Sequence, residues 1–335
     1  MDIIKVGKTI AYFRKQAGYT QKELADRIGI SDKAVSKWER GQGLPEVSYL
    51  RKLSILLDTD LDSLLAGNLA HHNNDWQGIL VLEENANGIG AGTVIYDKPL
   101  VYFQLSYFLL LGIRKIHVVC GEADREAVGR ILGDGSAYGF QIVCHGSLAS
   151  VDYAETPNLM VVHGRFILYG VDQTRFFLRA MADKTRLTVL ALPKKSEALH
   201  MDLEKRVLEA GRPEKLRTQY DYSRIPVFFM PSEMFPEMAA AEDLSSFIGG
   251  HEAFVEMLDR GFVEIEVDDW NDVQDASVFL RIVQEKCGMN VYCLEEVAWR
   301  RGFISLEQME AFGTRKKDTE YGAYILSLCQ RMKGK

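Results

Sequence analysis

No two cysteines of this 335-residue chain stand in a CxxC spacing, and their number, five, is odd. Zinc-ligand spacing and a disulfide framework are therefore excluded, and a reduced, cytoplasmic setting is expected. Long apolar runs are missing too. The longest, at residues 105–113, is roughly half of the ~20 residues a membrane-spanning helix needs. The amino terminus, MDIIKVGKTIAYFRKQ, turns polar before a signal-peptide core can form. Neither internal repeats nor low-complexity tracts occur. What is there is ordinary: 47% hydrophobic and 26% charged residues, the balance of a soluble globular chain with room for two or three domains.

Net positive charge is also lacking, since the whole chain carries −7. The deficit is uneven. Residues 1–66 hold 11 basic and 9 acidic side chains, and the first forty hold 9 and 5, whereas the remainder holds 29 and 38. Such asymmetry is a domain signal, with a basic end able to meet phosphate and an acidic body that keeps the molecule soluble.

The first 67 residues read as short helices without a strand, at 4–16, 21–28, 32–40, 47–57 and 61–65. Thr20 and Glu23 have capping-box spacing, Gly29 permits a left-handed turn, and Ser31 caps the next helix. Leu24, Ala25, Ile28, Ile30, Val35 and Trp38 take inward positions. Lys33, Ser36, Lys37 and Arg40 form one polar stripe at i, i+3, i+4 and i+7. A helix with a buried back and a basic, hydrogen-bonding front suits a major groove.

The strings TQKELA at 20–25 and SDKAVSKWERG at 31–41, followed by Pro45, resemble the Cro/repressor (XRE-type) helix-turn-helix. That resemblance implies binding of duplex DNA, usually by a dimer at an inverted repeat. It places Gln21 near backbone phosphate and Ser31, Lys33, Ala34, Ser36, Lys37 and Arg40 at the interface. A role as a protein-interaction module alone is the other reading of such domains.

Residues 68–77 (NLAHHNNDWQ) read as a polar linker, in which His71 and His72 lack a third ligand and suggest only a solvated segment. Beyond it the period changes. Strand-like runs at 78–82, 115–120, 141–144, 159–163, 188–192, 226–230 and 262–267 alternate with helical ones at 99–111, 124–132, 172–183 and 271–286. That alternation predicts a Rossmann-like α/β domain over 78–293 with a mostly parallel sheet, and 294–335 read as helices only. Gly88, Gly90 and Gly92 make a glycine-rich loop whose spacing fits neither the dinucleotide fingerprint nor a P-loop.

The strings YDKPLVY at 96–102, LGIRKI at 111–116, LGDGSAYG at 132–139, EEVAWRRGFI at 295–304 and YGAY at 321–324 resemble the sugar-1-phosphate nucleotidyltransferases, in particular the glucose-1-phosphate thymidylyltransferases. Members of that family wrap the triphosphate with a Gly-x-Gly-Thr-Arg loop, place a lysine before the YDKP string, and hold a metal ion between two aspartates. Here residues 83–95 contain no arginine or lysine and begin with Glu83 and Glu84. Alignment on Tyr169-Gly170 sets Arg165 where the first aspartate belongs, and Glu266 takes the place of the second. The expectation is a catalytically inactive body, without metal or cofactor, in which Arg165 and Glu266 mark a degenerate active site. Arg165 would either meet Glu266 or grip a ligand phosphate. The function expected is a cytoplasmic, homodimeric transcriptional regulator whose body senses a nucleotide sugar or sugar phosphate, or supplies the dimer, without a membrane partner. An active nucleotidyltransferase with a DNA-binding appendage and a ligand-free oligomerising regulator stay open.

Overall fold

Helix ends in the first domain are set by side chains the sequence supplies locally. A computed structural model describes residues 3–17, 19–57, 64, 75–153, 156–193, 201–202, 207–208, 222–259, 261–288 and 290–333. The chain divides into two compact units, Met1–His71 with Leu326–Lys335, and His72–Ile325. In the first, α1 (Ile3–Gln16), α2 (Gln21–Ile28), α3 (Asp32–Glu39) and α4 (Val47–Leu56) follow in order. Thr20 Oγ1 accepts from the Glu23 amide at 3.1 Å while Glu23 Oε2 accepts from the Thr20 amide at 2.7 Å, the reciprocal capping box. Gly29, at φ 87°, ends α2 in the left-handed region. The Ser31 hydroxyl then accepts from the Ala34 amide at 3.2 Å to start α3.

These ends let the helices close over one core of Val6, Ile10, Leu24, Ala25, Ile28, Val35, Trp38, Leu53, Leu57 and Leu64. Gly7 allows the approach of α1 to α3, because a Cβ there would lie 2.1 Å from the Trp38 carbonyl oxygen. Of the helix expected at 61–65 only Leu64 lies within the described residues. The linker expected at 68–77, with His71 and His72, falls outside them up to residue 74. The first strand begins at Trp76, inside that segment. Trp76 is buried edge-on against Phe229 at 5.9 Å, and Gln77 is buried beside His117.

The second unit is built on a mixed, mostly parallel sheet covered by helices. Among the described residues its strands lie in the order Gln141–His145, Lys115–Cys120, Trp76–Leu82, Asn158–His163, Tyr222–Pro231, Leu187–Pro193, Ala253–Met257, Val207–Leu208 and Met201–Asp202. In chain order the strands are β1 (Trp76–Leu82), β4 (Lys115–Cys120), β5 (Gln141–His145), β6 (Asn158–His163), β8 (Leu187–Pro193), β9 (Met201–Asp202), β10 (Val207–Leu208), β11 (Tyr222–Pro231) and β12 (Ala253–Met257). Two small ladders join β2 (Val94–Ile95) to β3 (Lys98–Pro99) and β7 (Phe166–Tyr169) to β13 (Val263–Glu266). The run β5-β4-β1-β6 is parallel, and β11 runs antiparallel to both β6 and β8.

Helix α5 (Leu100–Leu110) carries apolar side chains all round and is buried from Leu100 to Leu109, the pattern of a helix inside a core. The helices that follow are α6 (Glu122–Leu132), α7 (Gln173–Ala180), α8 (Phe235–Ala240), α9 (Leu244–Gly249) and α10 (Trp270–Cys287), of which α8 and α9 pack on Ile79, Val81, Leu159 and Val161 of the sheet. The carboxyl end adds α11 (Leu294–Arg300), α12 (Leu306–Arg315) and the start of α13 (Glu320–Lys333), whose residues from Leu326 on count with the first unit. Polar bonds join these to one another and to α5: the Tyr321 hydroxyl donates to the fully buried Glu295 of α11, and Lys316 reaches the Tyr102 hydroxyl of α5 at 3.0 Å. Residues of the strings at 96–102, 295–304 and 321–324 thus meet in one buried network.

Candidate functional site

Two sites arise, one on each unit. On the helical unit, α3 turns Val35 and Trp38 into the core and leaves Lys33, Lys37 and Arg40 exposed, with Ala34 and Ser36 half-buried between them. The stripe is therefore a surface. Arg40 folds back, its Nε donating to the Ser36 carbonyl at 3.2 Å. Ser31 is engaged as the cap of α3. Gln21, at the start of α2, is held by its Nε2, which donates to Glu39 Oε2 at 2.7 Å.

Glu39 is itself gripped from behind. Arg14 Nε and Nη2 donate to its two oxygens at 2.5 and 3.0 Å, and Arg14 Nη1 donates to the Tyr19 carbonyl at 2.6 Å. Both side chains are over nine-tenths buried. This bidentate pair fixes the acceptor that orients Gln21. Sequence spacing had singled out Gln21 but neither Arg14 nor Glu39. An arginine on the face of α1 that also carries Ile10 was the available signal.

On the sheet unit, the carboxyl ends of β1, β4 and β6 converge. Arg165, one residue beyond the turn at Gly164, is 7% exposed, and its Nη2 donates to the Glu83 carbonyl and lies 3.4 Å from Asp124 Oδ2. Asp124 sits in the first turn of α6, where its Oδ1 accepts from the Ala91 amide at 2.6 Å. His163 Nε2 and Glu83 Oε1 are 3.0 Å apart at the rim. Glu266 is exposed at the end of β13, one residue before Val267, whose amide donates to the Arg165 carbonyl at 2.8 Å. The structure thus brings the backbones of Arg165 and Glu266 together, and the carboxylate that it sets against the guanidinium is Asp124. In the sequence Asp124 shows only as the first residue of the helical run at 124–132. A guanidinium facing one carboxylate is not a donor set for a divalent cation. Among the described residues, no group of three His, Cys, Asp or Glu side chains is placed to hold one.

Within the sheet, away from these strand ends, His117 is fully buried between Gln77 and His145, with ring nitrogens 3.0 and 2.9 Å from their partners. Burial pushes the His145 imidazole below its ordinary value. On the same pair of strands a hydrogen bond from Cys120 holds the Cys144 thiol below the usual thiol range, with Arg125 adding to the effect. That bond and burial push Cys120 up. No helix among the described residues is long and apolar enough to cross a membrane.

Residues 10–64 match the helix-turn-helix family model. The chain is 26% identical over 262 residues to the glucose-1-phosphate thymidylyltransferase of Neisseria meningitidis serogroup A, with 71% of this chain and 91% of the relative covered. The Mycolicibacterium smegmatis protein of the same name is also 26% identical, with 71% and 90% covered. Among solved structures, a putative glucose-1-phosphate thymidylyltransferase from Bacillus anthracis overlaps 66% of this chain and 99% of its own at 12% identity and a TM-score of 0.49. The P22 c2 repressor, solved with a synthetic operator, is 35% identical over 19% of this chain and 96% of its own, with a TM-score of 0.18.

These relatives correct one expectation. The absent loop arginine and lysine and the arginine at 165 had pointed to a body without catalysis. Yet proteins named as enzymes align along about nine-tenths of their length. At the strand ends Asp124 stands against Arg165 and Glu83 against His163. The exchange at Arg165 therefore does not strip the site of acidic groups. Residues 10–64 are a helix-turn-helix domain of XRE type, and they are fused to a domain similar to the glucose-1-phosphate thymidylyltransferases.

Proposed function

We propose that this protein is a cytoplasmic, homodimeric transcriptional regulator whose second domain recognises a nucleotide sugar or sugar phosphate. The observation that carries the reading is the stripe of exposed Lys33, Lys37 and Arg40 and half-buried Ser36 along α3 and its C-cap, backed by core residues and fixed at its start by the Ser31 cap. Lysines on such a face neutralise phosphates, and Ser36 and Gln21 can hydrogen-bond to bases or backbone. A two-fold dimer would meet half-sites about one helical turn, ~34 Å, or a multiple of it apart. Gel retardation on a selected operator tests this. Ser36→Ala with Lys37→Ala should abolish the specific shift while the circular dichroism spectrum stays unchanged, and an undiminished shift would overturn the groove-facing assignment.

Ligand recognition rests on the strand-end site around Arg165, a buried guanidinium held by the Glu83 carbonyl and Asp124. A thermal-shift panel of nucleotide sugars and sugar phosphates should contain a compound that raises the melting temperature by linkage. The names of the relatives favour a second reading in which the same domain also transfers a nucleotidyl group. Pyrophosphate release from glucose 1-phosphate, a nucleoside triphosphate and magnesium decides it, with ~1 per second an ordinary enzyme rate.

A further inference from the structure

The glycine-rich loop between β1 and β2 is sealed by oxygens of this chain. The amides of Asn87 and Ile89 donate to Asn85 Oδ1 at 2.8 and 3.3 Å, and that of Gly90 donates to Thr93 Oγ1 at 2.9 Å. The Ala91 amide donates to Asp124 Oδ1 at 2.6 Å, and the other oxygen of that carboxylate faces Arg165. Gly90 is required for this closure, because a Cβ there would stand 2.3 Å from Asp124 Oδ1. One side-chain anion thus occupies a loop amide and a buried guanidinium at once.

Its fit is incomplete. Arg165 Nε is buried and has no hydrogen-bond partner among the described residues, and neither has Oε1 of the fully buried Gln104, whose Nε2 donates to the Gly164 carbonyl. A carboxylate offers two oxygens in one plane. A phosphate offers three or four in a tetrahedron and can reach Nη2, Nε and a loop amide together.

We propose that Asp124 is an internal stand-in for a ligand phosphate, which displaces it on binding. The ligand oxygens take over the Ala91 amide and the Arg165 guanidinium, and a protonated phosphate oxygen can donate to Gln104 Oε1. Asp124 rotates to solvent, where the first turn of α6 still favours its charge. The loop then follows the ligand rather than the helix, and the apparent affinity falls by the fraction of molecules in which Asp124 has vacated the site. This inference rests on the reading that the strand-end site takes a phosphorylated ligand.

The test uses the full chain with inorganic pyrophosphate as probe. Calorimetric titration should find Asp124→Asn binding at least about tenfold tighter than the parent, and Arg165→Gln binding none. On the unsubstituted protein, carbodiimide labelling followed by mass spectrometry should show Asp124 protected alone and modified when pyrophosphate is present. That second readout stands even if a variant folds poorly. Equal affinities in parent and Asp124→Asn, or labelling that does not rise, would overturn the stand-in and leave phosphate recognition intact. No binding by either protein would overturn both.

Discussion

Arg14 and Glu39 show what a single pair can settle. Twenty-five residues apart, they meet in the helical core with both charges desolvated, so the loss of one leaves the other stranded. Glu39→Ala should destabilise the first unit by about 3–5 kcal/mol, read as a lowered first transition in a urea melt. Operator affinity should fall with it, because Gln21 loses its acceptor. Spacing on α1 and α3 told which faces are buried, but periodicity does not say which charge lands opposite which. The same limit hid Asp124 from Arg165. Cys144 carries a prediction of its own. Held down by the Cys120 hydrogen bond, its thiol should be alkylated by iodoacetamide with an inflection below the ordinary ~8.5. Cys120→Ala should move that inflection back up, and an unchanged profile would remove the pairing as its cause.

Caps and turns are the elements most legible in advance, since Thr20 with Glu23, Gly29 and Ser31 act within a few residues of themselves. The capping box has a consequence in acid. Hydrogen bonds from the Thr20 amide and hydroxyl hold the Glu23 carboxyl below its ordinary value. Its stabilising effect is therefore present above the unfolded-state value of about 4.3 and is lost as pH falls through the lower folded value. Thermal melts between pH 5 and 3 should show a smaller loss for Glu23→Gln than for the parent. Strands were harder to read. Leu187–Pro193 stands out as a continuous apolar run, but its neighbour Ala253–Met257 carries the buried Glu256, which is paired with Arg179 at 3.1 Å and interrupts the pattern. Phe166–Tyr169 has only four residues, and its partner Val263–Glu266 lies far along the chain. Strand direction leaves no trace in hydrophobicity, so the antiparallel course of β11 became visible only with the ladder.

For the whole molecule, the charge division is the relevant quantity. The N-terminal 66 residues carry +2 and the remainder −9. Phosphate neutralisation by the basic part releases counterions, so operator affinity should fall roughly 10³–10⁵-fold between 50 and 200 mM salt if 6–10 phosphates are contacted. Fluorescence anisotropy across that range measures the slope. A flat response would remove electrostatic docking from the account. The fusion itself was legible, because each half carries its own strings and its own period. The chemistry of the second half was not, since carboxylates from separate elements reach one site only after folding.

The buried helix Leu100–Leu110 has a consequence for the making of the protein. It leaves the ribosome about two hundred residues ahead of its last covering groups, Arg301 on the Leu110 carbonyl and Lys316 on Tyr102. Until those arrive, an all-round apolar helix must stay shielded by chaperones or find another copy of itself. Nascent chains stalled before residue 300 should therefore crosslink to trigger-factor-like holdases through this segment, and release of the full-length chain should end that contact.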